Sequence, residues 1–197
     1  MYRQTCYKCL RPQKECLCET MKPFHSREKF VILMHPKEYR KGINTGRLAK
    51  RLMTNCELFI GPDFSENQRI TEIIEAHRDN CYILFPGPQA SNLSSMSRSK
   101  TSNESAVFFI LDATWSMAKK MLKTNPFLQE LNQVQFQPKF QSRYAIRKQP
   151  EAHCLSTIET VFTILEQFND AEESEHLQCL DLLDRMVQRQ INYEQKT

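Results

Sequence analysis

Apolar residues fall along this chain in short blocks, separated by longer stretches in which they recur every three or four positions. The blocks are Lys29-Phe30-Val31-Ile32-Leu33-Met34, Glu57-Leu58-Phe59-Ile60, Tyr82-Ile83-Leu84-Phe85 and Ala106-Val107-Phe108-Phe109-Ile110-Leu111. Near-continuous runs of β-branched and aromatic residues of this length predict strands covered on both faces, the situation of a parallel sheet. Val134-Gln135-Phe136 predicts one more short strand. The intervening stretches predict a helix over 45–53 and another over 66–77, with Ile70, Ile73, Ile74 and His77 along one stripe. A third begins near Trp115 and breaks at Asn125-Pro126. Two more close the chain: 157–168, with Ile158, Val161, Phe162, Leu165 and Phe168 inward, and 174–193, with Leu177, Leu180, Leu183, Val187 and Ile191 inward. Strands alternating with helices predict an α/β fold, a mostly parallel sheet with helices on both faces. Residues 89–105, rich in Ser and Asn, predict a mobile loop that serves as a lid or an RNA contact.

Length changes this picture little: 197 residues suit one domain with a small appendage, placed here at 1–22 with the main domain over 23–197. No apolar run approaches the roughly 20 residues of a membrane span. Met1-Tyr2-Arg3-Gln4-Thr5 leads into cysteines rather than an apolar signal core, so a cytoplasmic protein without a membrane partner is expected. Charge changes the picture more. Residues 1–150 carry 24 Lys and Arg against 13 Asp and Glu, while residues 151–197 carry 3 against 10. A body this basic predicts a phosphate-backbone partner, unless the charges are only unevenly solvated faces.

The appendage holds Cys6-x2-Cys9-x6-Cys16-x-Cys18. Four sulfurs at the corners of a tetrahedron need the short reach that a Cys-x2-Cys turn provides. Disulfides are the rival, but a reducing compartment disfavours them. The spacing predicts a structural Zn²⁺ held by Cys6, Cys9, Cys16 and Cys18, with no open coordination position. Tyr7, Lys8, Arg11 and Lys14 around it offer stacking and phosphate contacts. Cys56, Cys81, Cys154 and Cys179 are scattered, and three of these sit in or beside predicted elements, where Cys behaves as a small hydrophobe.

The densest chemistry follows the strand 106–111. Asp112-Ala113-Thr114-Trp115 brings together a carboxylate, a hydroxyl and the only Trp just before a helix. In open α/β sheets ligands bind at the carboxyl ends of the strands, so this placement delivers an acid to the binding crevice. The plain alternative is that Asp112 or Thr114 caps the helix and Trp115 fills core.

Asp112-x-Thr114-Trp115 after an apolar strand resembles the signature of the DTW-domain family, the tRNA-uridine aminocarboxypropyltransferases. The resemblance extends, in order, through the cysteine quartet, His35-Pro36-x-Glu38, Asn44-Thr45-Gly46, Leu84-Phe85-Pro86-Gly87, Arg147-Lys148-Gln149-Pro150 and Leu155-Ser156-Thr157-Ile158-Glu159. It covers roughly residues 1 to 170. It implies a catalytic domain like those of the SPOUT superfamily, with a trefoil knot in the carboxyl-terminal half. It implies S-adenosyl-L-methionine as co-substrate and tRNA as partner: N3 of a uridine takes the 3-amino-3-carboxypropyl group, and 5′-methylthioadenosine leaves.

On that resemblance Asp112, Thr114 and Trp115 are the catalytic set, Asp112 acting either as base or as ligand of the donor's ammonium. Trp115 is expected to stack on uracil or adenine. Leu84, Phe85, Pro86 and Gly87 are expected to meet the adenine edge, and Arg147, or its rival Arg143, an anionic group. Ser156, Thr157 and Glu159 are expected at the donor, although Ser156-x-x-Glu159 also spells a capping box. His35, Lys37, Arg40, Lys41, Asn44, Thr45, Arg47, Lys50 and Arg51, with Lys119, Lys120 and Lys123, are expected to bind RNA backbone. Two other functions remain open on the sequence: a similar RNA methyltransferase, and a zinc-ribbon RNA-binding module without catalysis.

Overall fold

A computed structural model describes residues 4–96, 105–146, 154–168 and 173–195. The chain divides into two compact units: Met1–Phe24 with Lys41–Thr54 and Gln137–Thr197, and His25–Arg40 with Asn55–Phe136.

The second unit is built on a six-stranded sheet in the order β2-β1-β5-β3-β6-β4, every pairing parallel. Its strands are β1 (Lys29–Met34), β2 (Cys56–Ile60), β3 (Cys81–Leu84), β4 (Ser91–Asn92), β5 (Val107–Asp112) and β6 (Asn132–Gln135). The two longest apolar runs become the neighbouring strands β1 and β5, and side chains pointing to either face are buried. The edges hold the less apolar segments, and Ile60 at the end of β2 is 45% exposed. Three helices belong to this unit: the one-turn α1 (Pro36–Tyr39), α3 (Gln68–His77) and α4 (Trp115–Thr124). Ile70 and Ile73 of α3 and Met121 of α4 join Val31, Leu33, Val107 and Phe109 in one core on one sheet face. Burying each of these large side chains contributes on the order of 1.5–3 kcal/mol. On the opposite face Phe30, Phe108 and Tyr82 stack across three strands, with ring centroids 5.9 and 5.4 Å apart.

Asn125 fixes how α4 leaves this core. Wholly buried, it accepts from the Phe64 amide at 2.6 Å and donates to the Pro62 and Met121 carbonyls at 3.0 and 2.7 Å. One amide thereby ends α4 and anchors the loop before α3.

The first unit packs three helices, α2 (Thr45–Leu52), α5 (Thr157–Phe168) and α6 (Glu173–Glu194), with the cysteine segment. Leu48 and Leu52 of α2, Ile158, Val161, Ile164 and Leu165 of α5, and Leu183 and Met186 of α6 are buried. Thr160 and Thr163 are buried too, so α5 is covered nearly all round rather than along one stripe. The Arg189 guanidinium donates to the Cys16 carbonyl at 2.6 Å, and Lys14 lies over the Tyr193 ring at 4.9 Å.

Two expectations change. Leu177, expected inward, is 51% exposed. Ser91–Asn92 inside the expected loop 89–105 pairs with β6 as an edge strand, which no apolar residue announces. Residues 97–104 of that loop lie outside the described residues. Among the described residues, no helix is long and apolar enough to cross a membrane.

Candidate functional site

In the sheet unit, β1 and β5 end side by side, Met34 opposite Asp112. Both chains then turn into a helix. The His35 amide donates to the Asp112 carbonyl at 3.0 Å, and the His35 ring caps α1 by accepting from the Lys37 amide at Nδ1, 3.2 Å away. That contact puts the ring proton of a neutral imidazole on Nε2. Asp112 is buried, at 6% exposure, as the last residue of its strand.

Thr114 occupies the cap position of α4, with extended backbone angles, yet its side chain makes no capping bond. Its hydroxyl lies 3.4 Å from that of Ser116. Capping therefore does not explain Thr114. Nor does core filling explain Trp115, which is 47% exposed. Its indole stacks on Phe85 at 5.1 Å and an 8° interplanar angle, and the Lys119 ammonium sits 5.2 Å from the indole. Local pattern gave no sign of this pair, because residues 85 and 115 are joined only through the register of the sheet.

Phe85 follows β3, and its amide is taken up by the Val134 carbonyl at 3.1 Å. Pro86 has no N–H to give. At Phe85 and Pro86 the turn thus offers a ligand an aromatic face rather than free amides. Gly87 sits close to the neighbouring strand: a Cβ there would meet Gln133 Oε1 at 3.3 Å, the movable end of a long side chain.

In the helical unit, Glu159 is wholly buried and crowded with donors. Its Oε2 accepts from the Ser156 amide at 2.8 Å, the Ser156 hydroxyl at 2.6 Å and the Ser142 hydroxyl at 2.9 Å, while Oε1 accepts from the Arg143 amide at 2.6 Å. Both oxygens already join 142–143 to the start of α5, which is what the capping-box reading of Ser156-x-x-Glu159 describes. The Thr157 amide donates to the Thr45 hydroxyl at 3.1 Å. Arg143 pairs with Asp184 at 2.9 Å. Arg147 lies outside the described residues.

The basic cluster divides. Lys37, Arg40, Lys41, Lys50, Lys119, Lys120 and Lys123 are exposed and Arg51 partly so, as phosphate contacts require. Asn44, Thr45 and Arg47 are buried. Asn44 caps α2 by accepting from the Arg47 amide at 2.9 Å, and the Arg47 guanidinium folds back onto the Lys41 carbonyl. These three hold the helix start together and expose little of their surface. Arg11, expected at a phosphate, is also buried.

The cysteine quartet converges. The four Sγ atoms all lie within 4.8 Å of one another, Cys6 to Cys18 at 4.0 Å and Cys9 to Cys16 at 3.8 Å. Bonds of about 2.3 Å to tetrahedral corners would put the sulfurs about 3.8 Å apart, so the four residues fit a zinc ion. Their acidities are split. Burial works to raise the Cys6 thiol, but donation from the Cys9 and Lys8 amides and from neighbouring thiols outweighs it and brings Cys6 down to about 6. Burial first, then the neighbouring sulfurs, pushes Cys18 up. Thiols this close do not ionise together by themselves; a divalent cation would make four thiolates compatible.

Comparison with known proteins identifies relatives of the chain. A family model described as the DTW domain matches residues 3–191. A protein of Macaca fascicularis named tRNA-uridine aminocarboxypropyltransferase 2 is 34% identical over 179 residues, which are 87% of this chain and 60% of that protein. The Mus musculus protein of the same name is 34% identical over 180 residues, with the same shares. An Arabidopsis thaliana protein named tRNA-uridine aminocarboxypropyltransferase A is 26% identical over 218 residues, 97% of this chain and 82% of that protein. The chain thus spans about 60% of the length of the two mammalian relatives. No solved structure matches it. With its Asp-x-Thr-Trp segment at the end of a central strand and the family model covering nearly its whole length, this chain belongs to the DTW domain family.

Proposed function

We propose that this protein transfers the 3-amino-3-carboxypropyl group of S-adenosyl-L-methionine to N3 of a tRNA uridine. One observation carries the reading. At the end of β5 a buried carboxylate, a hydroxyl not used as a cap and a half-exposed indole follow one another. Asp112 takes the N3 proton. The N3 electron pair then forms the bond to Cγ of the methionyl chain, in line with the Cγ–S bond, which breaks with its electrons going to sulfur. 5′-Methylthioadenosine leaves. The Phe85–Trp115 pair gives a planar apolar face for uracil or adenine, and Lys119 beside it suits a group carrying negative charge.

The resemblance supports contacts of Ser156 and Thr157 with the donor, and of Arg147 with its carboxylate through a bidentate guanidinium. A SPOUT-like trefoil knot, a catalytic domain over 23–197 beside a metal-binding segment over 1–22, and a cytoplasmic setting belong to the same reading. For the RNA, the exposed lysines count: Lys50→Ala should weaken tRNA binding and lower its salt slope by about one, leaving donor affinity unchanged. The metal, when bound, supplies a folded knuckle; the chemistry of transfer is left to the carboxylate and the bound donor.

The deciding experiment uses unmodified tRNA and donor labelled separately in the carboxyl carbon and in the S-methyl group. Carboxyl label should enter the RNA while methyl label stays in the released thioether. The opposite pattern would identify a methyltransferase. Tight tRNA binding with neither label incorporated would leave a binding module.

A further inference from the structure

The cysteine segment contains a second charged group whose surroundings call for explanation. Arg11 is 2% exposed, among the largest fully buried side chains of the protein, and neither terminal nitrogen of its guanidinium has a hydrogen-bond partner. A buried cation whose terminal nitrogens lack hydrogen bonds is disfavoured, and a guanidinium cannot escape by losing its proton. Its main chain is fixed against the metal ligands: the Cys6 amide donates to the Arg11 carbonyl at 2.8 Å, closing the turn that carries Cys6 and Cys9.

We propose that Arg11 is the buried counter-ion of a tetrathiolate metal centre, paired with the charge that the four sulfurs carry once a divalent cation gathers them. A divalent ion with four thiolates has a net charge of −2. Arg11 supplies one compensating charge. Arg189, whose guanidinium is fixed on the Cys16 carbonyl at 2.6 Å, supplies the second. Lys14 and Glu15 add one charge of each sign, and the Lys8 ammonium is exposed, 5.7 Å from the Tyr7 ring, where solvent screens it. Donors around a metal's ligands orient them and tune affinity, and their loss typically weakens binding by about 10–100-fold. The arrangement also ties α6 to metal loading, because Arg189 lies near the end of that helix.

This inference rests on the metal reading, and the test keeps the two apart. Zinc affinity of the full-length protein is measured by competition with a chromophoric chelator, for wild type, Arg11→Gln and Arg11→Lys, alongside thermal unfolding of the loaded and stripped forms. Wild type that takes up neither zinc nor iron would remove the metal centre itself. If wild type binds zinc, Arg11→Gln should bind about 10–100-fold more weakly, and Arg11→Lys should recover most of that loss because it keeps the charge. The stability readout should change with the metal: Arg11→Gln lowers the melting temperature of the loaded protein but not of the stripped one, where the buried charge is a burden. Equal zinc affinity for Gln and Lys variants, or the same loss of stability in both forms, would make Arg11 an ordinary packing residue and overturn the proposal.

Discussion

At the start of α5, Glu159 is wholly buried and takes hydrogen bonds from Ser156, Ser142 and Arg143, whereas at the start of α4 the Thr114 side chain makes no capping bond and Trp115 stands 47% exposed. Both segments place hydroxyls and an acid around the first turn of a helix. In one the acid closes the local structure on itself. In the other the acid lies two residues before the cap, in the strand, and the helix begins without help from the hydroxyl. A polar group that completes its own backbone can be explained by folding alone. A hydroxyl at a helix start without such a duty, as at Thr114, asks for a ligand, and this difference separates a structural motif from a candidate site more sharply than residue type does.

The largest effect should come from removing the charge at the second segment. Asp112→Asn keeps the shape, so stability should change little while turnover falls by about 10²–10⁴-fold if the carboxylate is the base. If it holds the donor's ammonium instead, donor binding should weaken by about 1.5–3 kcal/mol. Single-turnover rates read beside calorimetric titration of the donor distinguish the two. A fully active Asn variant would make the end of β5 and the start of α5 equivalent, both merely structural.

At the first segment the expected loss has the opposite character. Glu159→Ala strands two amides and two hydroxyls in a buried place, which should cost about 2–4 kcal/mol in chemical denaturation. Donor affinity of the folded fraction should stay normal. Weakened donor binding at unchanged stability would make Glu159 a ligand and undo the contrast.

A smaller effect examines the cap directly. Thr114→Val removes a hydroxyl that makes no capping bond and should change stability by less than about 0.5 kcal/mol, whereas Asn67→Ala should cost about 1 kcal/mol. Asn67 is a working cap, accepting from the Ile70 amide at 3.1 Å. Turnover should fall for Thr114→Val and hold for Asn67→Ala. A full kilocalorie lost at Thr114 would show that the hydroxyl caps in solution.

The contrast explains what could be read in the sequence. The central strands were legible because burial on both faces leaves an unbroken apolar run, and all the longer helices were legible from their period. The Asp-x-Thr-Trp segment drew attention by its place at the end of a strand and gained a role only through the family resemblance. The rest depended on distant partners. Ser156-x-x-Glu159 reads as a capping box, but nothing local reveals that Ser142 and Arg143 share the same carboxylate. Arg11 and Arg47 look like surface cations in a basic stretch, and only the tertiary structure buries them. The Phe85–Trp115 stack depends on how β3 and β5 are aligned.

The smallest expected effect serves as the control, an acid in the sheet unit that belongs to neither segment. Glu57 is held down to about 2, first by hydrogen bonding from Arg69, with burial acting the other way and Lys29 adding to the lowering. Its contacts are 2.9 Å to Arg69 and 2.7 Å to Lys29. Because the folded carboxyl ionises below its ordinary 4.5, the unfolded chain binds more protons between those two values. The pair's contribution is therefore fully present above about pH 4.5 and disappears as pH falls through about 2. Arg69 is half exposed, so solvent screening should keep the contribution under about 1 kcal/mol at neutral pH. Urea titrations of wild type and Glu57→Gln should differ by that amount at pH 7 and converge near pH 2, with turnover unaffected throughout. A gap that persists at low pH would mean that Glu57 stabilises the sheet by packing rather than by charge. A loss of turnover would show that the chemistry of this sheet is not confined to the carboxyl end of β5.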